Sequence, residues 1–112
     1  MAGNLFADLP GLPMVPEAAE RMETLLALPG LRIERIVSTG QASPAGFGYE
    51  QADAEWVVLL SGEALLRFAD EAEARRLHAG DWLYIEPGRR HRVDGTDPAA
   101  PTVWLAVHHV KD

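Results

Sequence analysis

Apolar positions after residue 30 fall into several short segments. Residues 31–38 read LRIERIVS, where apolar and polar residues alternate with a period of two, and three later segments are 55–60 (EWVVLL), 75–79 (RRLHA) and 82–85 (WLYI). Residues 102–110 form one longer segment of the same kind. This composition and period are typical of β-strands. The pattern predicts about six to eight short strands in a sandwich or barrel.

Glycine and proline separate these segments. Ser61-Gly62 predicts a hairpin, and Gly80-Asp81 predicts a tight turn in which the glycine supplies a positive φ. Pro29-Gly30 suits the central positions of a type II turn. Residues 17–28 leave two alternatives, a helical stripe or a strand over roughly residues 22–28. We expect a short helical turn followed by a strand.

The first twenty residues have a different character from the rest of the chain. Pro10, Pro13 and Pro16 recur every third residue and disfavour both helix and sheet. We therefore predict an extended N-terminal arm over residues 1–20 and a β-barrel domain over residues 21–112. The arm is too apolar for a free tail, and we expect it to pack on the domain or on a second subunit.

Composition narrows the class of protein. The chain has 112 residues, 47% of them hydrophobic and 24% charged, which fits one globular domain. Its net charge of −7 disfavours a nucleic-acid partner. No apolar run approaches the roughly 20 residues of a membrane-spanning helix, and no secretory signal precedes the domain, so we expect a cytoplasmic protein without a membrane partner. The absence of cysteine excludes disulfides, thiolate metal sites and a cysteine nucleophile.

Two segments resemble the signatures of the cupin superfamily. Residues 80–93, GDWLYIEPGRRHRV, are similar to the second signature, with its Gly-Asp turn, Pro/Gly bend and histidine. Glu55 and Gly62, with six residues between them, resemble the second half of the first signature. The resemblance implies a double-stranded β-helix, which is a jelly-roll barrel whose open end holds a metal or a small ligand.

The chain departs from the family pattern at the start of the first signature. Both of its histidines are absent, because no histidine occurs before His78. Their places fall on Tyr49 and Gln51 with a three-residue spacer, or on Gly48 and Glu50 with a four-residue spacer. Of the family's usual ligand types, only Glu55 and His91 are present by identity.

Strand alternation extends the list of candidates. Glu55 shares its face with Val57 and Leu59, and a carboxylate that points into an apolar barrel needs a cation or hydrogen-bond donors. In the last strand, His108 has the parity of Trp104, so we prefer it to His109 as the inward residue. The candidate ligands of a divalent Zn, Fe, Ni or Mn ion are Glu55, His91, Gln51 or Glu50, and His108. The candidate ligand-pocket residues are Tyr49 and Trp104.

Two functions are compatible with this pattern. The first is a metal-dependent cupin that holds a divalent ion and a small-molecule ligand in the barrel. The second is a metal-free, non-catalytic cupin that captures a small anionic or polar metabolite. A purely structural role is a third reading, in which Glu55 pairs with Arg32, Arg35 or Arg92 at the barrel mouth. The Trp- and Val-rich strand faces and the apolar arm further predict a homodimer that covers the edge strands.

Overall fold

The protein forms an all-β fold with eight strands. The structure is a computed structural model and describes residues 2–15, 17 and 19–110. The strands are β1 (Arg21–Leu28), β2 (Leu31–Ser38), β3 (Ala54–Ser61), β4 (Glu63–Phe68), β5 (Arg75–His78), β6 (Trp82–Ile85), β7 (His91–Thr96) and β8 (Thr102–His109). They form two antiparallel sheets, a five-stranded one in the order β1-β2-β8-β3-β6 and a three-stranded one in the order β5-β4-β7. The predicted jelly-roll architecture is confirmed.

The inner faces of the two sheets enclose one apolar core. Every strand of this core presents alternate residues inward, as the period of two requires. The buried members come from both sheets and are Val57, Leu59, Ala64, Leu66, Phe68, Leu77, Ile85, Trp104 and Ala106. None of the described residues belongs to a helix that could cross a bilayer.

The predicted hairpin at Ser61-Gly62 is wrong. The flanking strands β3 and β4 do not pair with each other, because β3 pairs with β6 and β8 while β4 pairs with β5 and β7. The chain changes sheets at Gly62, where φ is 86°. A Cβ atom there would lie 2.7 Å from the Cα of Thr102, so only glycine allows the backbone to pass this close to β8.

The predicted helical turn at the start of residues 17–28 is also wrong, whereas the strand that follows it is confirmed. Residues 17, 19 and 20 are not helical, and Pro16 and Ala18 lie outside the described residues. The backbone of Glu17 bonds to distant groups instead: its N–H donates to Thr39 Oγ1 (3.1 Å) and its carbonyl accepts from Gln41 Nε2 (2.9 Å). These long-range bonds replace the local bonds of a helix.

The N-terminal arm lies against the outer side of the large sheet. Arg35 is only 5% exposed and donates to the carbonyl oxygens of Leu5 (3.1 Å) and Ala7 (2.6 Å). The arm is not extended throughout, since residues 5–8 form a turn. The arm does not cover the whole outer side, since Trp82 on β6 is 60% exposed there. The homodimer and the domain boundary after residue 20 stay predictions.

Candidate functional site

A cavity of about 150 Å³ lies between the two sheets at one end of the barrel. Six of the predicted site residues line it: Tyr49, Gln51, Glu55, His91, Trp104 and His108. Three charged residues that the sequence analysis did not place in a site also line it: Glu20, Arg32 and Glu34. The remaining lining residues are apolar: Met22, Ile36, Val57, Leu66, Ile85 and Val93.

A row of polar residues crosses the large sheet at the mouth of the cavity. His108 on β8 stands opposite Arg32 on β2 and opposite Glu55 on β3. Residues that are directly opposite in antiparallel strands project to the same face, so all three side chains meet at the mouth. Four residues deeper, Ile36 stands opposite Trp104 and forms the apolar base.

Glu55 is a buried carboxylic acid. It is 7% exposed and stands opposite His108 of β8. Burial raises its pKa to about 7, the negative charge of Glu34 adds to this rise, and the positive charge of Arg32 opposes it. Near neutral pH the protonated and the ionised forms of Glu55 are therefore both populated, so the group can donate or accept a proton.

Glu55 does not form the ion pair that the structural reading requires. None of its three candidate arginines lies within ion-pair distance of it among the described residues. Each arginine pairs with another carboxylate: Arg32 with Glu34 (3.5 Å), Arg35 with Glu23 (2.5 Å) and Arg92 with Asp94 (2.7 Å).

His108 is buried in the same row and lacks hydrogen-bond partners. It is 4% exposed, and burial together with the nearby Arg32 lowers its pKa. Its Nε2 lies 2.9 Å from Glu34 Oε1, and this contact raises the pKa of His108 against the lowering by burial and Arg32. Neither ring nitrogen has the geometry of a hydrogen bond to a residue in the described part of the chain. The next residue, His109, lies on the opposite face and stacks on Tyr84.

His91 approaches the cavity from the small sheet. Its backbone pairs with that of Tyr49 through two hydrogen bonds of 2.6 and 3.0 Å, and the two rings stack with centroids 5.5 Å apart. Its Nδ1 lies 3.1 Å from the carbonyl oxygen of Arg89, which can only accept, so Nδ1 carries the proton. Burial lowers the pKa of this histidine. The neutral ring therefore keeps a lone pair on Nε2.

Glu20 reaches the cavity from the residue that precedes β1. Its carboxylate accepts hydrogen bonds from Ser38 Oγ (2.9 Å) and from the Tyr49 hydroxyl (3.3 Å). Ser38 in turn accepts from Trp104 Nε1 at 3.1 Å. This chain of bonds ties the base of the cavity to its rim. Sequence reasoning missed Glu20 because nothing local indicates that the end of an arm folds over the barrel.

The structure also separates two adjacent candidates. Gln51 lines the cavity, whereas Glu50 is exposed and lies on the outside, 3.9 Å from Arg90. The place of the second missing histidine of the family pattern is thus occupied by an amide, and Tyr49 takes the place of the first.

The donors at this site do not fit a resident metal ion. No group of three or more His, Cys, Asp or Glu side chains is arranged to hold an ion anywhere in the described ranges. His91 offers only its Nε2, because Nδ1 is bonded to a backbone carbonyl, and Glu34 already contacts both His108 and Arg32. A site for a transition metal needs at least three convergent protein ligands, and this cavity does not supply them.

Comparisons with known proteins agree with this geometry. The cupin domain family matches residues 37–108, which is more than half of the chain. A Ralstonia eutropha protein described as a "putative mannose-6-phosphate isomerase" is 46% identical, with a TM-score of 0.92 over 99% of both chains. Two further structures share the fold: a Cupin 2 conserved barrel domain protein from Salinispora arenicola (23% identity, TM-score 0.67, covering 97% of this chain and 87% of that one) and an RmlC-like cupin with a double-stranded β-helix from Methanocaldococcus jannaschii (17%, 0.67, covering 89% and 93%). None of the curated proteins compared with the chain matches it.

Proposed function

Because the chain belongs to the cupin family, we propose that it binds a small polar molecule inside the barrel, and that it does so without a resident metal ion. The family match and the cavity support binding of a small molecule or a metal. The choice between these two rests on the arrangement of the donors.

One observation carries the proposal: the buried ring nitrogens of His108, at the cavity mouth, form no hydrogen bond to a described residue. His108 is 4% exposed, and Glu55, which stands opposite it, is 7% exposed. An unsatisfied buried polar group costs about 1–3 kcal/mol. A ligand that bonds to these groups would recover that free energy, which makes the mouth a binding site.

The other side chains define how a ligand would lie. The apolar base around Trp104 would hold a hydrocarbon part, because burial of apolar surface is favourable. The polar groups at the mouth would hold the functional group. Gln51 adds an amide that can both donate and accept.

Binding can be tested with three probes that share a carbon skeleton: isobutanol, isobutylamine and isobutyric acid. Each is added to chelator-treated, ¹⁵N-labelled protein, and amide shifts are followed. We expect shifts centred on β3 and β8 around Glu55 and His108. Val57→Phe, which fills the cavity, should abolish them, while Val58→Phe on the other face of β3 is the matched control and should leave them intact.

The metal question has its own test. The protein is purified without chelator and its metal content is measured. We expect no stoichiometric metal, and no rise in Tm when Zn²⁺ or Mn²⁺ is added after chelation. Stoichiometric metal that is lost in both Glu55→Ala and His91→Ala would overturn the metal-free proposal.

A second candidate function is an isomerase that acts on a sugar phosphate. The description of the Ralstonia eutropha protein favours it, and so does the position of Glu55 opposite His108. Aldose–ketose isomerisation moves a proton between neighbouring carbons, and a carboxyl group with a pKa of about 7 suits that transfer. Incubation with mannose 6-phosphate tests it: fructose 6-phosphate should form, and Glu55→Gln should stop the reaction.

A further inference from the structure

The charges that line the cavity are unbalanced. Three carboxyl groups face it, those of Glu20, Glu34 and Glu55, but only one permanently cationic side chain, that of Arg32. His91 and His108 add no permanent positive charge, and burial lowers the pKa of each. The cavity therefore has a negative potential towards its ligand.

Arg32 is not available to an anion. Its Nε lies 3.5 Å from Glu34 Oε2, and its side chain is 44% exposed. A phosphate or carboxylate in the cavity would have to compete with Glu34 for this one guanidinium while lying near three acidic groups. Sites that bind phosphate normally offer several converging donors. The lining of this cavity instead has more acidic groups than cationic ones, which disfavours phosphate.

The polar groups that face the cavity are mainly hydrogen-bond acceptors, which suits a ligand that donates hydrogen bonds. A neutral imidazole offers one lone pair, and His91 presents its lone pair at Nε2 because Nδ1 is bonded to the Arg89 carbonyl. A carboxylate such as that of Glu34 only accepts hydrogen bonds. Glu55 becomes a further acceptor when it releases its proton. An ammonium group carries three N–H donors and no acceptor, which complements this set.

Size and apolar lining restrict the rest of the ligand. About 150 Å³ corresponds to roughly five water molecules in the liquid. Behind the polar mouth the wall is formed by apolar side chains, with Tyr49 and His91 stacked at the rim. An aromatic face next to a cationic group is favourable as well. The space thus suits a short hydrocarbon body attached to a charged head.

We propose that the ligand of this cavity is a small primary amine, with its ammonium group at the mouth between Glu34 and Glu55 and its hydrocarbon part against Trp104. This inference rests on the proposed function and names the ligand class of the same site. It also distinguishes the site from one that takes a phosphorylated sugar.

The three isobutyl probes test the charge preference directly at pH 7.5, where isobutylamine is cationic, isobutyric acid is anionic and isobutanol is neutral. Dissociation constants are measured by amide shifts at low ionic strength. We expect isobutylamine to bind at least tenfold more tightly than isobutyric acid, with isobutanol between them, and mannose 6-phosphate to bind more weakly than all three.

Single Glu→Gln variants show which carboxyl group accounts for the preference for isobutylamine. Glu34→Gln should weaken isobutylamine binding by about tenfold, which is about 1.4 kcal/mol. Glu55→Gln provides a second variant should Glu34→Gln disturb the fold. Glu50→Gln removes the same charge from the neighbouring outer surface and should change binding less than twofold.

The outcomes separate this inference from the proposed function. Probe binding in which isobutyric acid or mannose 6-phosphate equals or exceeds isobutylamine would overturn the amine preference and leave the cavity a binding site. An equal loss of isobutylamine affinity in Glu50→Gln and Glu34→Gln would overturn it too, because the effect would then be one of net charge. Failure of every probe to shift the cavity amides would overturn the proposed function itself.

Discussion

The two ends of the cavity wall lie on the same three strands, β2, β8 and β3, and differ in chemistry. At the mouth, Arg32, His108 and Glu55 stand side by side and are charged or titratable. At the base, Ile36 and Trp104 occupy the equivalent positions four residues further along their strands. All of these side chains face inward because they occupy alternate positions along their strands. Those at the base pack against the core, whereas those at the open end can contact an incoming ligand.

The contrast teaches that burial has different consequences at the two ends. Trp104 is 4% exposed, and its indole N–H donates to Ser38 within the chain, so burial stabilises it. His108 is equally buried, but its ring nitrogens form no hydrogen bond to any residue that the structure describes, so its burial lowers the stability of the fold. The base is built for stability, while the mouth retains unsatisfied groups, as binding sites commonly do.

The largest expected loss of stability comes from removing the Trp104 side chain at the base of the cavity. Trp104→Ala creates a cavity and breaks the bond to Ser38, so the free energy of unfolding should fall by about 3–5 kcal/mol. Urea unfolding measures it. Trp82→Ala is the control, because that side chain is 60% exposed and its loss should cost less than about 1 kcal/mol. Equal losses in the two variants would contradict the assignment of Trp104 to the base.

At the mouth, Glu55→Gln should stabilise the protein in a pH-dependent way. The folded pKa of about 7 lies above the ordinary value of 4.5, so between these values the folded state binds more protons and the parent loses stability as pH rises. The Gln variant carries no such charge. The two proteins should therefore be equally stable near pH 4, and the variant should be more stable by about 3 kcal/mol above pH 8.

Urea unfolding of both proteins from pH 4 to pH 9 gives this difference, and the histidine contributions cancel because both chains contain them. Glu50→Gln serves as the exposed counterpart and should change the free energy of unfolding by less than about 0.5 kcal/mol. A flat difference for Glu55→Gln across the pH range would mean that the Glu55 carboxyl is not desolvated.

The smallest expected loss of stability concerns the chain of hydrogen bonds from Tyr49 through Glu20 and Ser38 to Trp104. Tyr49→Phe removes the hydroxyl that donates to Glu20 at 3.3 Å and should cost about 0.5–1 kcal/mol of unfolding free energy. Tyr84→Phe, on the outer side of β6, makes no such bond and should be neutral. If the two variants behave alike, the Tyr49–Glu20 bond contributes nothing measurable to stability.

Much of the fold could be predicted from local sequence. The period of two placed most strands, and Pro29-Gly30 correctly marked a turn, with Gly30 at φ 76°. Parity also placed His108 on the inner face and His109 outside. The hairpin at Ser61-Gly62 failed because a glycine turn specifies a change of direction and not the sheet that the next strand joins.

The candidate site was less predictable. Arg32 and Glu34 alternate with apolar residues in β2, and a polar set of this kind reads as a solvent-facing one. They line the cavity instead, and the opposite face of β2 is covered by the arm, where Arg35 donates to arm carbonyls. Which face of a strand turns inward depends on what covers the other face.

The order of residues along the chain was enough to specify alternating strands, the places of the turns and the loss of the family's first two histidines. Only the folded chain decided that Glu20, Glu34 and Glu55 share a single space with one arginine that is already paired. The physical reason is that alternation is a property of neighbours in sequence, whereas electrostatic potential and desolvation depend on groups that come together from distant strands.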